Sequence, residues 1–134
     1  MKIATALRST MGQSMVSAFA AGTTNSPKLE IYAGSMPSAM GLSITADLLT
    51  EHALTNQVAT EASGIITFDA IGEELAVNIT GSPGWARIID RDGAEVIYLT
   101  VSDTGQGGEL QLNTVNLQAG SSVFITGGTI VVGS

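Results

Sequence analysis

The chain has no cysteine, so its 134 residues can build no disulfide, no thiolate nucleophile and no thiolate-held metal centre, and the lack fixes no redox compartment. Charge is also scarce, at 13% of residues where about 25% is usual, and only 5 residues are Lys or Arg against 12 Asp or Glu. A net charge of −7 with so few cations argues against a phosphate backbone as partner, so no nucleic acid is expected. One histidine, one tryptophan and 4% aromatic residues leave little material for acid–base chemistry or a stacking platform. No apolar run approaches the ~18 residues of a membrane span, and no membrane partner is expected. The first twenty residues are apolar, yet Ser9, Thr10, Gly12, Gln13, Ser14 and Ser17 interrupt every stretch that could serve as a secretory signal. Synthesis in the cytoplasm is the expectation.

What is present is apolar and rich in turns: 44% hydrophobic residues and 16 glycines. The length fits one domain, able to bury roughly two-thirds of its unfolded surface without staples. So little charge beside so much apolar material implies that part of the surface is covered by copies of the chain or by a larger assembly.

Residues Ile3 to Ala21 read as an amphipathic helix, because Ile3, Leu7, Met11, Met15 and Phe19 recur every four residues while Lys2, Arg8 and Gln13 are left for solvent. Segment 1–22 is thus a helix or arm, and 28–134 the β body. Lys28 to Ala33 alternates as a strand burying Leu29 and Ile31, whereas Ile44 to Leu49 suits a strand or a helical turn. Thr55 to Ser63 reads as a polar loop, Gly64 to Ala70 as a strand and Ala76 to Thr80 as a weak strand. Trp85, Arg87 and Ile89 share one face of a central strand, and an Asp-Arg-Asp-Gly turn with Gly93 at positive φ leads to the return strand through Val96 to Leu99. Beyond Val101, a glycine-rich loop over 103–108 and three short strands, Glu109 to Leu112, Ser122 to Thr126 and Thr129 to Val132, complete the pattern. Many short strands with one terminal helix predict a mainly β fold, an antiparallel β-sandwich or jelly-roll-like barrel.

Candidate chemistry is thin. Asp103-Thr104-Gly105 matches the triplet of aspartic proteases, but too little chain follows to hold two carboxylates face to face. Asp90 and Asp92 begin like a calcium loop whose twelfth position should be glutamate and is Val101. Glu73, Glu74 and Glu109 offer oxygens that nothing in the sequence brings together. His52 reads as an exposed or edge histidine, and 105–108 lacks the lysine of a phosphate loop. Asn78-Ile79-Thr80 forms a glycosylation sequon of no consequence without secretion. Trp85, Tyr32, Tyr98, Phe68 and Phe124 could stack on sugars but read better as core. No catalytic, cofactor-binding or metal-binding residue is assigned, no cofactor is expected, and the chain is read as a non-enzyme.

The run from Asn78 through Trp85, Arg87 and Asp90 to Val96, then Glu109-Leu-Gln-Leu-Asn to Ala119-Gly120 and Val123 to Thr126, resembles a family of small structural proteins of tailed bacteriophages and prophages. Lys28 to Gly34, Met36-Pro37 and Leu48-Leu49 resemble that family's front half. Thr50 to Ala53 departs from it, where a Ser-Asp-Pro-rich segment is usual, and Glu73 to Val77 is more apolar than the family expects. The resemblance implies a virion component on the capsid exterior, a head decoration or cement protein. Its implied partners are copies of itself, with a trimer favoured, and the major capsid protein. A tail or head–tail connector component and a small carbohydrate-binding module are the alternatives.

Overall fold

Period-two alternation and glycine punctuation resolve into a sheet wrapped on an apolar core. The computed structural model describes residues 1–72 and 76–133, so the Glu73-Glu74 pair lies outside the described residues. Helix α1 (Thr5–Phe19) is followed by β1 (Lys28–Ala33), β2 (Leu48–Ala53), β3 (Ala59–Ala62), β4 (Ile65–Phe68), β5 (Pro83–Ile89), β6 (Glu95–Asp103), β7 (Leu110–Leu112) and β8 (Ile125–Val131). The strands form one sheet in the order β2-β1-β5-β6-β7-β8-β4-β3, curled into a half-barrel. The fold is mainly β with one N-terminal helix, as alternation and punctuation predict. One pairing departs from the antiparallel expectation: β6 and β7 run parallel, Val101 opposite Leu110 and Asp103 opposite Leu112. Parallel neighbours usually need a crossover of about a dozen residues. Here residues 104–109 suffice because Gly105 and Gly107 take φ of +83° and +87°.

Leu29, Ile31, Leu49, Ile66, Ala86, Ile88, Leu99, Leu110, Leu112 and Ile130 meet in the core, closed by Phe19 of α1 and by Leu54, Val58, Val77, Leu117 and Val123 from the connections. Four sequence expectations need correction. Thr55 to Ser63 is not all loop, since β3 pairs with β4 through a two-residue turn in which Ser63 and Gly64 both have positive φ, the geometry whose twist matches a hairpin. Ala76 to Thr80 forms no strand. Val77 instead exchanges backbone hydrogen bonds with Ser121 and Gly120, and the Asn78 N–H donates to Leu49 O. The two final strands are one, and Gly127-Gly128 lies inside β8 rather than at a turn. A Cβ at Gly128 would stand 2.5 Å from the Phe68 ring, so glycine lets that ring lie on the strand. The fourth concerns α1, whose body-facing side is Arg8, Ser9, Gly12, Met15, Val16 and Phe19, while Leu7 and Met11 face solvent. Arg8, expected in solvent, donates from Nε to Val132 O at 2.8 Å.

The β1–β5 register shifts between Tyr32, opposite Trp85, and Ala33, opposite Pro83, leaving Gly84 as the extra residue of a bulge. A Cβ there would lie 1.6 Å from Gly34 O, a backbone atom that cannot swing aside. Gly84→Ala is therefore expected to break this register and cost about 3 kcal/mol or more, by analogy with the larger backbone-strain effects, read from a urea unfolding midpoint. An unchanged midpoint would show that the bulge can relax.

Candidate functional site

The outer face of β1, β5 and β6 carries the densest polar and aromatic cluster among the described residues. Register sets Tyr32 opposite Trp85, Glu30 opposite Arg87, and Arg87 opposite Tyr98. The Tyr32 ring stacks on Trp85 at 4.6 Å and 14°, and Tyr98 tilts against it at 4.9 Å and 58°. Trp85 is 0% exposed, and its Nε1 has no hydrogen-bond partner within the described protein.

Arg87 binds two carboxylates, Glu30 Oε1 at 2.6 Å from Nε and Glu95 Oε2 at 2.8 Å from Nη1. The Tyr32 hydroxyl donates to Glu30 at 3.1 Å, the Tyr98 hydroxyl to Glu95 at 2.6 Å, and the Gly41 N–H to the other Glu95 oxygen at 3.0 Å. Burial works against the Arg87 charge, but the bonds to Glu30 and Glu95 outweigh it and hold the guanidinium protonated above its ordinary range. The Tyr98 hydroxyl, with Arg87 and Gly41, draws Glu95 below the usual carboxylate range, and Glu95 in turn pushes Tyr98 up. Burial first, then the neighbouring Glu30 charge, pushes Tyr32 up to about 12. Donors and acceptors here answer one another, so the arrangement locks three strands together and offers no free acid, base or nucleophile.

These are the chain's only two tyrosines, and both titrate high. A group whose folded pKa is raised lends stability that is full below its unfolded value and is lost as pH rises through the folded value. The native protein is expected to show less phenolate absorbance than the urea-unfolded chain as pH rises past about 10, and to lose stability as pH climbs toward the folded value of Tyr32, about 12. A native titration centred near 10 would contradict this network.

Loop 34–47 lies over the cluster. Its ends are joined by the Ala33 N–H donating to Asp47 O, and its middle is pinned to the sheet by the Gly41 N–H donating to Glu95. Between loop and sheet is a cavity of about 250 Å³ walled by Ser35, Pro37, Leu42, Ile44, Thr45 and Trp85. Met36 and Met40 are exposed, and so is Leu42, which also walls the cavity. Apolar side chains on a braced loop are suited to binding another surface.

The residues singled out for chemistry are elsewhere and employed. Asp90 accepts from the N–H groups of Asp92 and Ala94 within the hairpin turn, where Gly93 has φ +88°. Asp92 accepts from the Thr24 hydroxyl and the N–H groups of Thr23 and Thr24, which hold it below the usual carboxylate range and tie the segment after α1 to the hairpin. Thr104 of the Asp-Thr-Gly triplet donates to Leu112 O, and the glycine-rich loop is pegged by Gln111 and Ser102 accepting from Gly105 and Gly108. Glu109 accepts from Thr100, and the Asn78 side chain donates to Leu48 O. His52 is on an edge strand but is not exposed: at 2% accessibility its Nδ1 donates to Gly72 O at 2.6 Å and its Nε2 accepts from Thr50 at 3.1 Å. No cluster of three metal-ligating side chains occurs among the described residues, and no helix there is long and apolar enough to cross a membrane.

The chain matches no family model, no curated protein and no solved structure. Its site is therefore read from geometry alone. The five aromatic residues considered for sugar stacking divide into the buried Trp85 with its two tyrosines, Phe68 against Phe19 at 6.1 Å, and a solvent-facing Phe124. Sequence reasoning missed Glu30 and Glu95 as partners of Arg87. Alternation places Arg87 beside Trp85 on one face, but the cross-strand register that brings Glu30 to it has no local signal.

Proposed function

We propose that the chain is a virion structural protein, binding the outside of a phage or prophage head in symmetric copies and stabilising it. The observation that carries this reading is loop 34–47, which presents Met36, Met40 and Leu42 to solvent from a base bonded to a rigid sheet. An apolar tip on a stiff mount loses little conformational freedom when it docks. The low charge and the resemblance of residues 78–126 to phage structural proteins support the same reading. So does the negative net charge, which suits the exterior of a DNA-filled shell because the protein does not compete for the DNA.

The test is co-sedimentation of the purified protein with heads and, separately, with tails of the phage or prophage that encodes it. Saturable binding to heads is expected, with Met40→Lys plus Leu42→Lys weakening it roughly tenfold or more, about 1.4 kcal/mol, while circular dichroism stays native. Binding to tails alone would overturn the decoration reading in favour of a tail or connector component. Binding to neither would remove it from the particle.

A further inference from the structure

The first half of helix α1 is mounted with polar residues inward, whereas Met15, Val16 and Phe19 of the second half pack on the core. Arg8 donates to Val132 O, Ser9 Oγ donates to Glu61 Oε2 at 2.9 Å, and Gly12 packs against the Glu61 side chain. Another side of the helix, Ala4, Leu7, Met11, Ser14 and Ala18, is exposed at every position. These residues are uncharged and alternate three and four apart, so they form a single seam along the helix. Leu7 is 53% exposed and Met11 39%. Beside the C-terminal half of this seam an apolar groove of about 270 Å³ opens between α1 and β6, lined by Ser14, Met15, Ala18, Phe19, Val96 and Ile97.

The geometry points to a second copy of this chain as the occupant: two α1 helices pair antiparallel about a two-fold axis, Leu7 of each lying against Ala18 and over the groove of the other. In a two-fold contact, residue i meets j and j meets i. Crossing between Met11 and Ser14 sets those two opposite each other and brings Leu7 to Ala18 at both ends, so each large side chain meets a small one. A parallel arrangement would set Leu7 on Leu7 and leave both grooves open.

Charge selects a like partner. Residues 1–27 hold Lys2 and Arg8 and none of the 12 acidic residues, and the carboxylates that reach this segment, Glu61 and Asp92, are bonded to Ser9 and to Thr23 and Thr24, so two copies of a chain with net charge −7 bring little free negative charge to the seam. An acidic or basic partner would find no counter-charge in the seam. A helix of 15 residues is about 22 Å long and about 10 Å wide, a footprint of a few hundred Å² that falls below the ~800 Å² per partner of a standard stable interface. The dimer is accordingly weak and concentration-dependent. Where many copies are held side by side, effective concentration makes such a contact count. This inference rests on the self-association in the reading above, not on the capsid, and it sets the pairing at two where the resemblance implies three.

Light scattering on the full chain from roughly micromolar to millimolar concentration is the first test. A monomer–dimer transition is expected, with Leu7→Glu and Met11→Glu each moving its midpoint at least tenfold upward while circular dichroism stays native, both side chains being exposed. Orientation is read by cysteine cross-linking, since the chain has no cysteine of its own. Leu7→Cys combined with Ala18→Cys should oxidise to a covalent dimer and Leu7→Cys alone should not, because antiparallel pairing separates the two Leu7 positions by about 16 Å along the axis. A dimer that survives Leu7→Glu and Met11→Glu would overturn this surface while leaving self-association standing. A monomer at every concentration would overturn both, and head binding would still be judged by co-sedimentation.

Discussion

Replacing Trp85 by alanine is expected to lower the unfolding free energy by about 3–5 kcal/mol, the range for truncating a fully buried large aromatic, and the melting temperature by roughly 10–20 °C for a chain of this size. The side chain is wholly buried against Tyr32 and Tyr98, and its indole N–H has no partner among the described residues, so no hydrogen bond to them is lost and the penalty is one of packing. The void would adjoin the cavity of about 250 Å³ beneath loop 34–47, which makes collapse around it harder. That loop loses its floor, so the head binding proposed for it should weaken with stability. Trp85→Phe should cost much less, because it keeps a stacked ring and removes an unpaired buried donor. Urea unfolding followed by circular dichroism gives both values, and a loss below about 1 kcal/mol for the alanine variant would mean that Trp85 does not organise this face.

Arg87→Met is expected to be nearly as damaging, for an electrostatic reason. It leaves Glu30, 8% exposed, and Glu95 facing each other's surroundings without a cation. Breaking a buried pair costs about 3–5 kcal/mol; with a fifth of the Arg87 side chain still in contact with water, about 2–4 is expected at neutral pH. The pH dependence separates this from lost packing. In the native chain Glu95, with its pKa depressed, lends stability above its unfolded value that disappears as pH falls through the folded value. Without Arg87, Glu95 keeps its bonds from Tyr98 and Gly41 but loses those from the guanidinium, so the variant should lose less stability than the native chain as pH falls, and the gap from wild type should narrow in acid. Glu30→Gln added to Arg87→Met should recover part of the loss. A gap that does not change with pH would assign the effect to packing alone.

Elements with a strong local signal are legible in the sequence. Lys28 to Ala33 has six alternating residues stopped by Gly34, and the Asp90 to Gly93 turn has its acceptors and its positive-φ residue in sequence. What tertiary contacts decide was not legible. Ala59 to Ala62 is too polar to announce a strand, yet it pairs with β4 and is covered by α1. The fourfold spacing of Ile3, Leu7, Met11 and Met15 marks a helix but not its orientation, which Arg8 and Ser9 set by finding acceptors at Val132 and Glu61. His52 looks exposed beside Glu51 because the backbone that buries it, at Gly72, is twenty residues away. The candidate site shows the same division: Trp85 and Arg87 on one face follow from alternation, but Glu30, Glu95 and the loop above them follow from register.

The order of strands carries a consequence for how the chain is made. The β3–β4 hairpin follows β2 closely in sequence, but at the end of the sheet farthest from β2 its neighbour is β8. As the polypeptide leaves the ribosome, β1 and β2 can pair with each other and then with β5, whereas Ile65 to Thr67 must wait for Thr129 to Val131 before they gain a second neighbour. Helix α1, seated on β3, β4 and Val132, settles only after that. The helix, made before every strand it rests on, is thus among the last elements to find its place, and nascent chains held short of Val131 should leave α1 open to protease, a late closure of the kind that non-local strand pairing imposes.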